Sequence, residues 1–190
     1  MKTEHPTTDE LLHNLTGEQA LEIVRRLAEK KGAVAQAVAA TAREMLAAVE
    51  IEEIADDVFV SLDCVDVEAC WDMAGASRYG YTSPDEAALQ LIEEGLQPFF
   101  DQVDRYHDLG MADQERDYCM AVLLGAYRYE EESESEFKDW CEDMPLECAG
   151  HLLDTWRRRT THQKSRAAMN RFIRQHCPKW AKYLTRKSSD

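Results

Sequence analysis

Residues 83–96 read Ser-Pro-Asp-Glu-Ala-Ala-Leu-Gln-Leu-Ile-Glu-Glu-Gly-Leu, and this stretch carries the signals that set the fold class. Ser83 and Glu86 fit a capping box, in which a hydroxyl and a carboxylate satisfy free N–H groups at a helix start. Pro84 stands at the first helical position, where proline is best tolerated. Apolar residues then recur at spacings of three and four, which predicts one buried face of a helix. They are Leu89, Ile92 and Leu96.

The same signals recur along the chain. Capping-box patterns also begin at Thr7, Thr16 and Ser133, and apolar stripes of helical spacing each predict a helix of roughly 10 to 18 residues. The stripes begin at Leu21, Val34, Ile51, Leu89, Tyr118, Leu146 and Met169. No Asn-Gly or Asp-Gly turn separates alternating runs, and residues 77–82 are predicted as a loop. We therefore predict an all-α fold of about eight to ten helices, either an irregular bundle or a TPR/HEAT-like stack of short antiparallel helix pairs.

Glycines at positions 80, 95, 110 and 125 stand 15 residues apart. Such a spacing is typical of a helical repeat, but the residues between these glycines do not resemble one another. The repeat and the irregular bundle therefore remain alternatives. We predict that the first three glycines end helices, and that Gly125, within Val-Leu-Leu-Gly-Ala-Tyr, allows close packing.

Three segments resemble a known family of helical regions. They are Leu15-Thr-Gly-Glu-Gln-Ala-Leu-Glu-Ile-Val24, residues 80–98 and His107-Asp-Leu-Gly-Met111. These segments are similar to the uncharacterised TPR-like helical region that accompanies SWIM zinc fingers in prokaryotic proteins, and the resemblance spans roughly residues 10 to 130. The SWIM finger itself, a Cys-x-Cys followed by a Cys-x-His, is absent from the sequence. The resemblance therefore implies helix pairs and transfers no zinc, nucleic-acid or catalytic role to any residue.

The charges are distributed unevenly. The 190 residues include 37 acidic and 22 basic side chains, a net charge of −15. Residues 151–190 hold eleven of the basic side chains and only two acids, a net charge of +9, which leaves −24 on residues 1–150. We therefore predict an acidic, all-helical body over 1–150 and a basic C-terminal helical segment over 151–190, packed on the body within a single domain.

The basic segment contains a predicted amphipathic helix from Lys164 to Cys177. Its apolar side is formed by Met169, Phe172, Ile173 and His176. Three roles are open. The segment neutralises the body and completes its core, or it binds an acidic partner or nucleic-acid phosphate, or it attaches to a membrane surface. The −24 body opposes the membrane role. The candidate basic face consists of Arg157, Arg158, Arg159, Arg171, Arg174 and Lys182. For the first three, the alternative role is to complement a helix dipole.

An aromatic loop is the second candidate binding surface. Trp71, Tyr79 and Tyr81 surround the connection between residues 75 and 80. Exposed aromatic side chains are enriched at interfaces, so these residues could line a binding groove. The alternative is that Trp71 belongs to the core and that the tyrosines cover it with their hydroxyls in water.

Signals of catalysis, cofactors and metals are weak. The sequence lacks a P-loop, a dinucleotide fingerprint, a nucleophile elbow and an H-E-x-x-H motif, so we expect no catalytic residue and no cofactor. Six cysteines without a C-x-x-C pair favour reduced thiols that pack as small hydrophobes. Cys141, Cys148 and His151 have a loosely zinc-like spacing but no evident fourth ligand.

The N-terminus lacks the apolar core of a signal peptide, and no apolar run approaches the length of a membrane span. We therefore expect a cytoplasmic protein that is not inserted in a membrane. The leading functional prediction is a non-enzymatic interaction or scaffold module whose partner is another protein. The alternatives are a nucleic-acid-associated or regulatory protein that uses the basic segment and, third, a metal-binding protein or an enzyme.

Overall fold

The computed structural model describes residues 7–77, 80–141 and 143–185, and these residues form eleven helices and one two-stranded hairpin. The helices are α1 (Thr8–His13), α2 (Gly17–Glu29), α3 (Ala33–Ala47), α4 (Ile51–Asp63), α5 (Val67–Met73), α6 (Pro84–Asp108), α7 (Ala112–Glu132), α8 (Lys138–Cys141), α9 (Met144–Arg159), α10 (Gln163–His176) and α11 (Ala181–Leu184). The all-α prediction is confirmed. The helix count exceeds the predicted eight to ten because α8 and α11, with four residues each, are too short to carry a periodic stripe.

Three of the four predicted capping boxes are present. They stand at Thr7, Thr16 and Ser83. The prediction at Ser133 was wrong, because its hydroxyl donates to Asp63 at 2.5 Å and accepts from the backbone N–H of Ser135. Ser133 therefore ties the end of α7 to α4, and the next helix begins only at Lys138.

The glycines take roles that differ from one another. Gly110 has a φ of +68° directly after α6, so it ends that helix as predicted. The prediction for Gly95 was wrong: it lies inside α6, which runs on through Pro98. The prediction that Gly80 ends a helix was wrong, because Gly80 is the first residue of a strand. Ser77 and residues 80–82, predicted as parts of a loop, belong to the two strands of an antiparallel hairpin. Its strands are β1 (Gly75–Ser77) and β2 (Gly80–Thr82).

The chain divides into two compact units between Ala48 and Val49. The first unit contains α1 to α3, of which α2 and α3 pack against each other as a hairpin. The second unit contains all the remaining elements and all the buried residues within the described ranges. The boundary at residue 150, which the charge distribution predicts, lies inside this second unit.

Helix α7 is the centre of the second unit. It packs against α4, α6, α9 and α10, and eleven of its 21 residues are buried. A stacked repeat would restrict each helix to its neighbours along the chain, so this arrangement is an irregular bundle. Gly125 makes the closest approach, since a Cβ built there would lie 2.4 Å from the carbonyl oxygen of Ala55 and 2.5 Å from Val58 Cβ. The predicted packing role of Gly125 is confirmed.

The basic C-terminal segment contributes to the same core. Met169 and Ile173 on α10 are buried, as is Trp180 before α11. The indole of Trp180 donates a hydrogen bond to Glu130 Oε1 at 3.0 Å, and Lys179 forms an ion pair with Glu131. The apolar side of the segment therefore completes the core of an acidic bundle.

Candidate functional site

Two tryptophans lie in contact at the surface of the second unit. The rings of Trp71 and Trp140 meet edge to face, with centroids 4.8 Å apart and planes inclined at 77°. Trp71 is 51% exposed and Trp140 is 38% exposed, whereas Trp156 and Trp180 are each 1% exposed. The alternative in which Trp71 belongs to the core is therefore wrong.

Separate elements hold this pair in place. Trp71 belongs to α5, whose start is capped by the Asp66 carboxylate accepting from the backbone N–H of Glu68 at 3.0 Å. Trp140 belongs to α8, and both α5 and α8 pack against α6. Tyr81, the other described residue of the predicted aromatic loop, is exposed on β2, while Tyr79 lies outside the described residues.

A cavity of about 420 Å³ opens beside Trp140. Four carboxylates line it, and none of its described lining residues is basic. They belong to Asp85, Asp139, Asp143 and Glu147. We call these four residues together with Trp71 and Trp140 the acidic-aromatic site. Closely spaced carboxylates on a low-dielectric wall concentrate negative potential, and a tryptophan face attracts cations, so the chemistry of this site suits a positively charged group.

A second cavity, of about 550 Å³, is lined by residues of α6 and α9. The two cavities share Glu147 as a lining residue, and Glu93 and Asp104 also line the larger one. Apolar side chains such as Leu89 and Phe100 form part of its wall. A cavity with both acids and apolar surface suits a basic and apolar segment.

The predicted basic face is divided between structural and free side chains. Arg157 donates to the Leu184 carbonyl at 2.5 Å and to Asn170 Oδ1 at 3.0 Å, which ties α9 to α10 and α11. Arg159 donates to Asp104 at 2.5 Å and ties α9 to α6. These two arginines are committed to contacts within the fold.

The other four members of the basic face are exposed. Among the described residues, the one hydrogen-bond partner of Arg158 is the Thr155 hydroxyl of its own helix, at 2.8 Å. Arg171 and Arg174 have no ion-pair partner in the part of the chain that the structure describes, and Lys182 lies over the ring of its neighbour Tyr183. The structure therefore brings Arg171 and Arg174 together on the exposed side of α10. Arg157 and Arg159 lie on α9, in contacts with other helices.

The loosely zinc-like residues do not converge. Cys141 lines the smaller cavity, whereas Cys148 and His151 line the larger one. Within 7–77, 80–141 and 143–185, no three His, Cys, Asp or Glu side chains are placed to hold a metal ion. All six cysteines are free thiols, and burial raises the pKa of Cys148 to about 11 and that of Cys177 to about 12. A thiol with a raised pKa is a poor nucleophile at neutral pH.

The sequence interpretation missed two features. Trp140 follows an acidic run and carries no apolar periodicity, so only the packing of α5 and α8 on α6 reveals its contact with Trp71. The second feature is Glu115, which is 4% exposed and lies 3.3 Å from Nδ1 of His107 across the turn at Gly110. These residues border a small cavity of about 240 Å³. A spacing of eight residues across a glycine gives no sequence signal for such a pair.

Comparisons with protein-family models, with curated proteins and with solved structures found no match to this chain. The resemblance to the helical region beside SWIM fingers therefore stays a prediction. Among the described residues, none of the helices combines the length and the apolar character required to cross a membrane.

Proposed function

We propose that this protein is a non-enzymatic interaction module, and that its second unit docks a basic segment of another protein at the acidic-aromatic site. The observation that carries the proposal is the exposed Trp71–Trp140 pair beside a cavity lined by four carboxylates. Tryptophan is the residue type most enriched among interface positions that dominate binding energy. Leaving two of them in water is consistent with a surface that a partner covers.

The charges around the site favour a cationic partner. Residues 49–190 have a net charge of −14, from 30 acidic and 16 basic side chains. Such a field accelerates the encounter with a basic partner and opposes an acidic one. Arginine fits the site in two ways, because its guanidinium stacks on aromatic rings and also forms paired hydrogen bonds with carboxylates. The larger cavity, which shares Glu147 with this site, offers room for further residues of the same segment.

A binding assay with a defined probe tests the proposal. A fluorescein-labelled peptide of arginine and glycine is titrated with the full chain, and fluorescence anisotropy is measured at low and high salt. We expect binding that weakens with salt, that falls about tenfold or more in Trp140→Ala, and that falls similarly in the double variant Asp139→Asn with Asp143→Asn.

Matched controls separate this site from general charge effects. Glu53→Gln combined with Asp57→Asn removes two exposed acids on α4, and Tyr183→Ala removes an exposed ring. Both should bind the probe like the wild type. Equal affinity for a glutamate–glycine peptide, or unchanged affinity in the site variants, would contradict the proposal.

A second candidate function is association with nucleic acid through α10. The observation that favours it is the free, exposed stripe of Lys164, Arg171 and Arg174 on one side of that helix. Each basic side chain placed on a phosphate releases counterions and strengthens binding. The acidic remainder of the chain opposes this role, so we rank it second.

Filter binding to single-stranded DNA tests this alternative. If α10 binds phosphate, Arg171→Glu combined with Arg174→Glu lowers the affinity and flattens its dependence on salt. Arg105→Glu changes an exposed arginine on α6 and provides the control. No measurable binding by the wild type at low salt would eliminate this candidate and leave the protein-docking proposal untouched.

A further inference from the structure

The N-terminal hairpin, α2 and α3 with their connection, has no core of its own. None of residues 7–48 is buried. Large apolar side chains remain in water along both helices, including Leu21 and Val24 on α2, and Val34 and Met45 on α3. Scattered exposed hydrophobic residues are normal, but a unit without a single buried residue is not stable by itself.

Helix α3 consists mostly of apolar residues. Of its 15 residues only four are polar, and the rest are alanine, valine, leucine or methionine. The four are Gln36, Thr41, Arg43 and Glu44, and at about 100° per residue they fall within one half of the helix. The other half is apolar, and an apolar helix face is normally covered by another element. Because α2 covers only one side, the stripe of Val34, Ala37, Thr41 and Met45 remains open, and Met45 is 75% exposed.

Small units obtain missing stability from disulfides, metals or oligomerisation. Residues 1–48 contain no cysteine, and their histidines are only His5 and His13. Cross-linking by disulfides within this unit is therefore excluded, and a multi-ligand histidine–cysteine metal site is not available. Association with another chain needs neither cysteines nor metal ligands.

The charges of the hairpin favour a second copy of itself as the occupant. Residues 7–48, which comprise α1 and the hairpin, hold six acidic and five basic side chains. Their net charge is −1, against −14 for residues 49–190. Acids and bases are also unevenly placed along α2 and its end: Glu18 and Glu22 lie in the first half, whereas the second half and the two residues after it hold four basic residues and one acid, Glu29. Arg26 also donates to Glu22 of its own helix at 2.8 Å. When two such helices lie antiparallel, the acidic first half of each lies beside the basic second half of the other. In a dimer with two-fold symmetry, each such contact between the two copies occurs twice.

We infer that the N-terminal hairpin is a homodimerisation element. Two copies pack α3 against α3 and α2 against α2, antiparallel, to form a four-helix bundle whose centre contains Val34, Thr41 and Met45. The small residues of α3 allow a close approach of the two helix axes. This inference concerns the first unit and is independent of the acidic-aromatic site in the second.

Sedimentation equilibrium of the full chain at several concentrations tests the inference. We expect a dimer for the wild type and a monomer for Met45→Glu and for Val34→Glu, because each places a charge at the centre of the bundle. Val60→Glu changes an equally exposed residue on α4 and should remain dimeric. A monomeric wild type at all concentrations overturns the inference, as does a dimer that survives both charged variants.

A charge reversal tests the antiparallel orientation and guards against simple unfolding of the hairpin. Glu22→Arg alone places arginines of the two copies opposite each other and should weaken the dimer. Adding Arg25→Glu restores opposite charges and should recover dimerisation. Because Glu22 also pairs with Arg26 of its own helix, far-UV circular dichroism of both variants must show unchanged helix content. A single variant that dimerises like the wild type overturns the antiparallel arrangement.

Discussion

At the scale of single residues, the close contact of α7 with α4 depends on the missing side chain of Gly125. A Cβ at this position would meet the Ala55 carbonyl oxygen and the Val58 side chain at distances far below van der Waals contact. Both obstacles lie on the buried side of α4, and they cannot move aside like the tip of a flexible side chain. The sequence predicts this role, because a glycine between large apolar residues within a helical stripe indicates close packing.

Replacing Gly125 by alanine should therefore destabilise the protein, by about 1–3 kcal/mol or more, as is usual for overpacking. Gly150→Ala is the matched control, because a Cβ there meets only Leu184 Cδ2 at an ordinary 3.6 Å. The control should be neutral or stabilising, since alanine favours a helix over glycine by about 1 kcal/mol. Urea unfolding of both variants measures the difference, and equal stabilities would contradict the packing role.

Glu130 makes the stability of the protein depend on pH. Burial raises its pKa, an effect opposed by the hydrogen bond from the Trp180 indole. Its second oxygen, Oε2, is buried without a hydrogen-bond partner among the described residues. The folded protein therefore binds this proton more tightly than the unfolded chain does. As the pH rises through the interval between the ordinary and the raised pKa, the contribution of Glu130 to stability falls.

Glu130→Gln removes the charge and retains an oxygen that accepts from Trp180. We expect the variant to have a higher free energy of unfolding than the wild type at neutral pH. The difference should narrow as the pH falls through the raised pKa, because the wild-type carboxyl becomes neutral there. Urea unfolding at a series of pH values measures this difference in free energy of unfolding, with Glu134→Gln as an exposed control. A difference that widens as the pH falls would show that the pKa of Glu130 is not raised in the folded protein.

At the scale of elements, helices were predictable where local signals and burial agree. The capping boxes at Thr7, Thr16 and Ser83 satisfy free backbone groups within four residues, so sequence alone specifies them. Ser133 offers the same local pattern, but its hydroxyl is bound by Asp63 on another helix. Sequence spacing carries no information about that contact. The prediction that Gly95 ends a helix was wrong for a similar reason. Gly95 lies inside α6, where packing against α4 outweighs the weak helix propensity of glycine.

In the basic segment, too, the local pattern predicts some features, whereas contacts with other helices decide the rest. Its amphipathic period correctly places Met169 and Ile173 on the buried side of α10, with Arg171 and Arg174 in water. Which arginines are free could not be predicted, because Arg157 and Arg159 are bound by groups on other helices. A basic cluster in sequence is thus only partly a basic surface in the fold.

The two sides of α10 should respond differently to truncation. Ile173→Ala should lower the free energy of unfolding by about 2–5 kcal/mol, because it leaves a cavity beneath a fully buried side chain. Arg174→Ala, on the exposed side of the same helix, should change it by less than about 0.5 kcal/mol. Thermal or urea unfolding compares the two. Equal effects would mean that the helix is not docked on the core through its apolar side.

At the scale of the whole molecule, the chain combines a near-neutral hairpin with a strongly acidic bundle. The fold class follows from periodicity, since each stripe specifies a helix and no alternating run competes. The acidic-aromatic site does not follow from periodicity, because Trp71 and Trp140 become neighbours only when α5 and α8 pack on α6. Long-range packing of this kind has no local sequence signal. The sequence predicts Trp71 as a candidate binding residue, and the structure shows that Trp140 lies beside it.

Docking of a cationic segment at Trp71 and Trp140 is tested most directly by the four indole N–H signals of the protein. A ¹H–¹⁵N spectrum of the full chain is recorded while the arginine–glycine peptide is added. We expect the signals of exposed Trp71 and Trp140 to shift and those of buried Trp156 and Trp180 to stay in place. Signals of Trp71 and Trp140 that do not move when the peptide is in excess would contradict this docking.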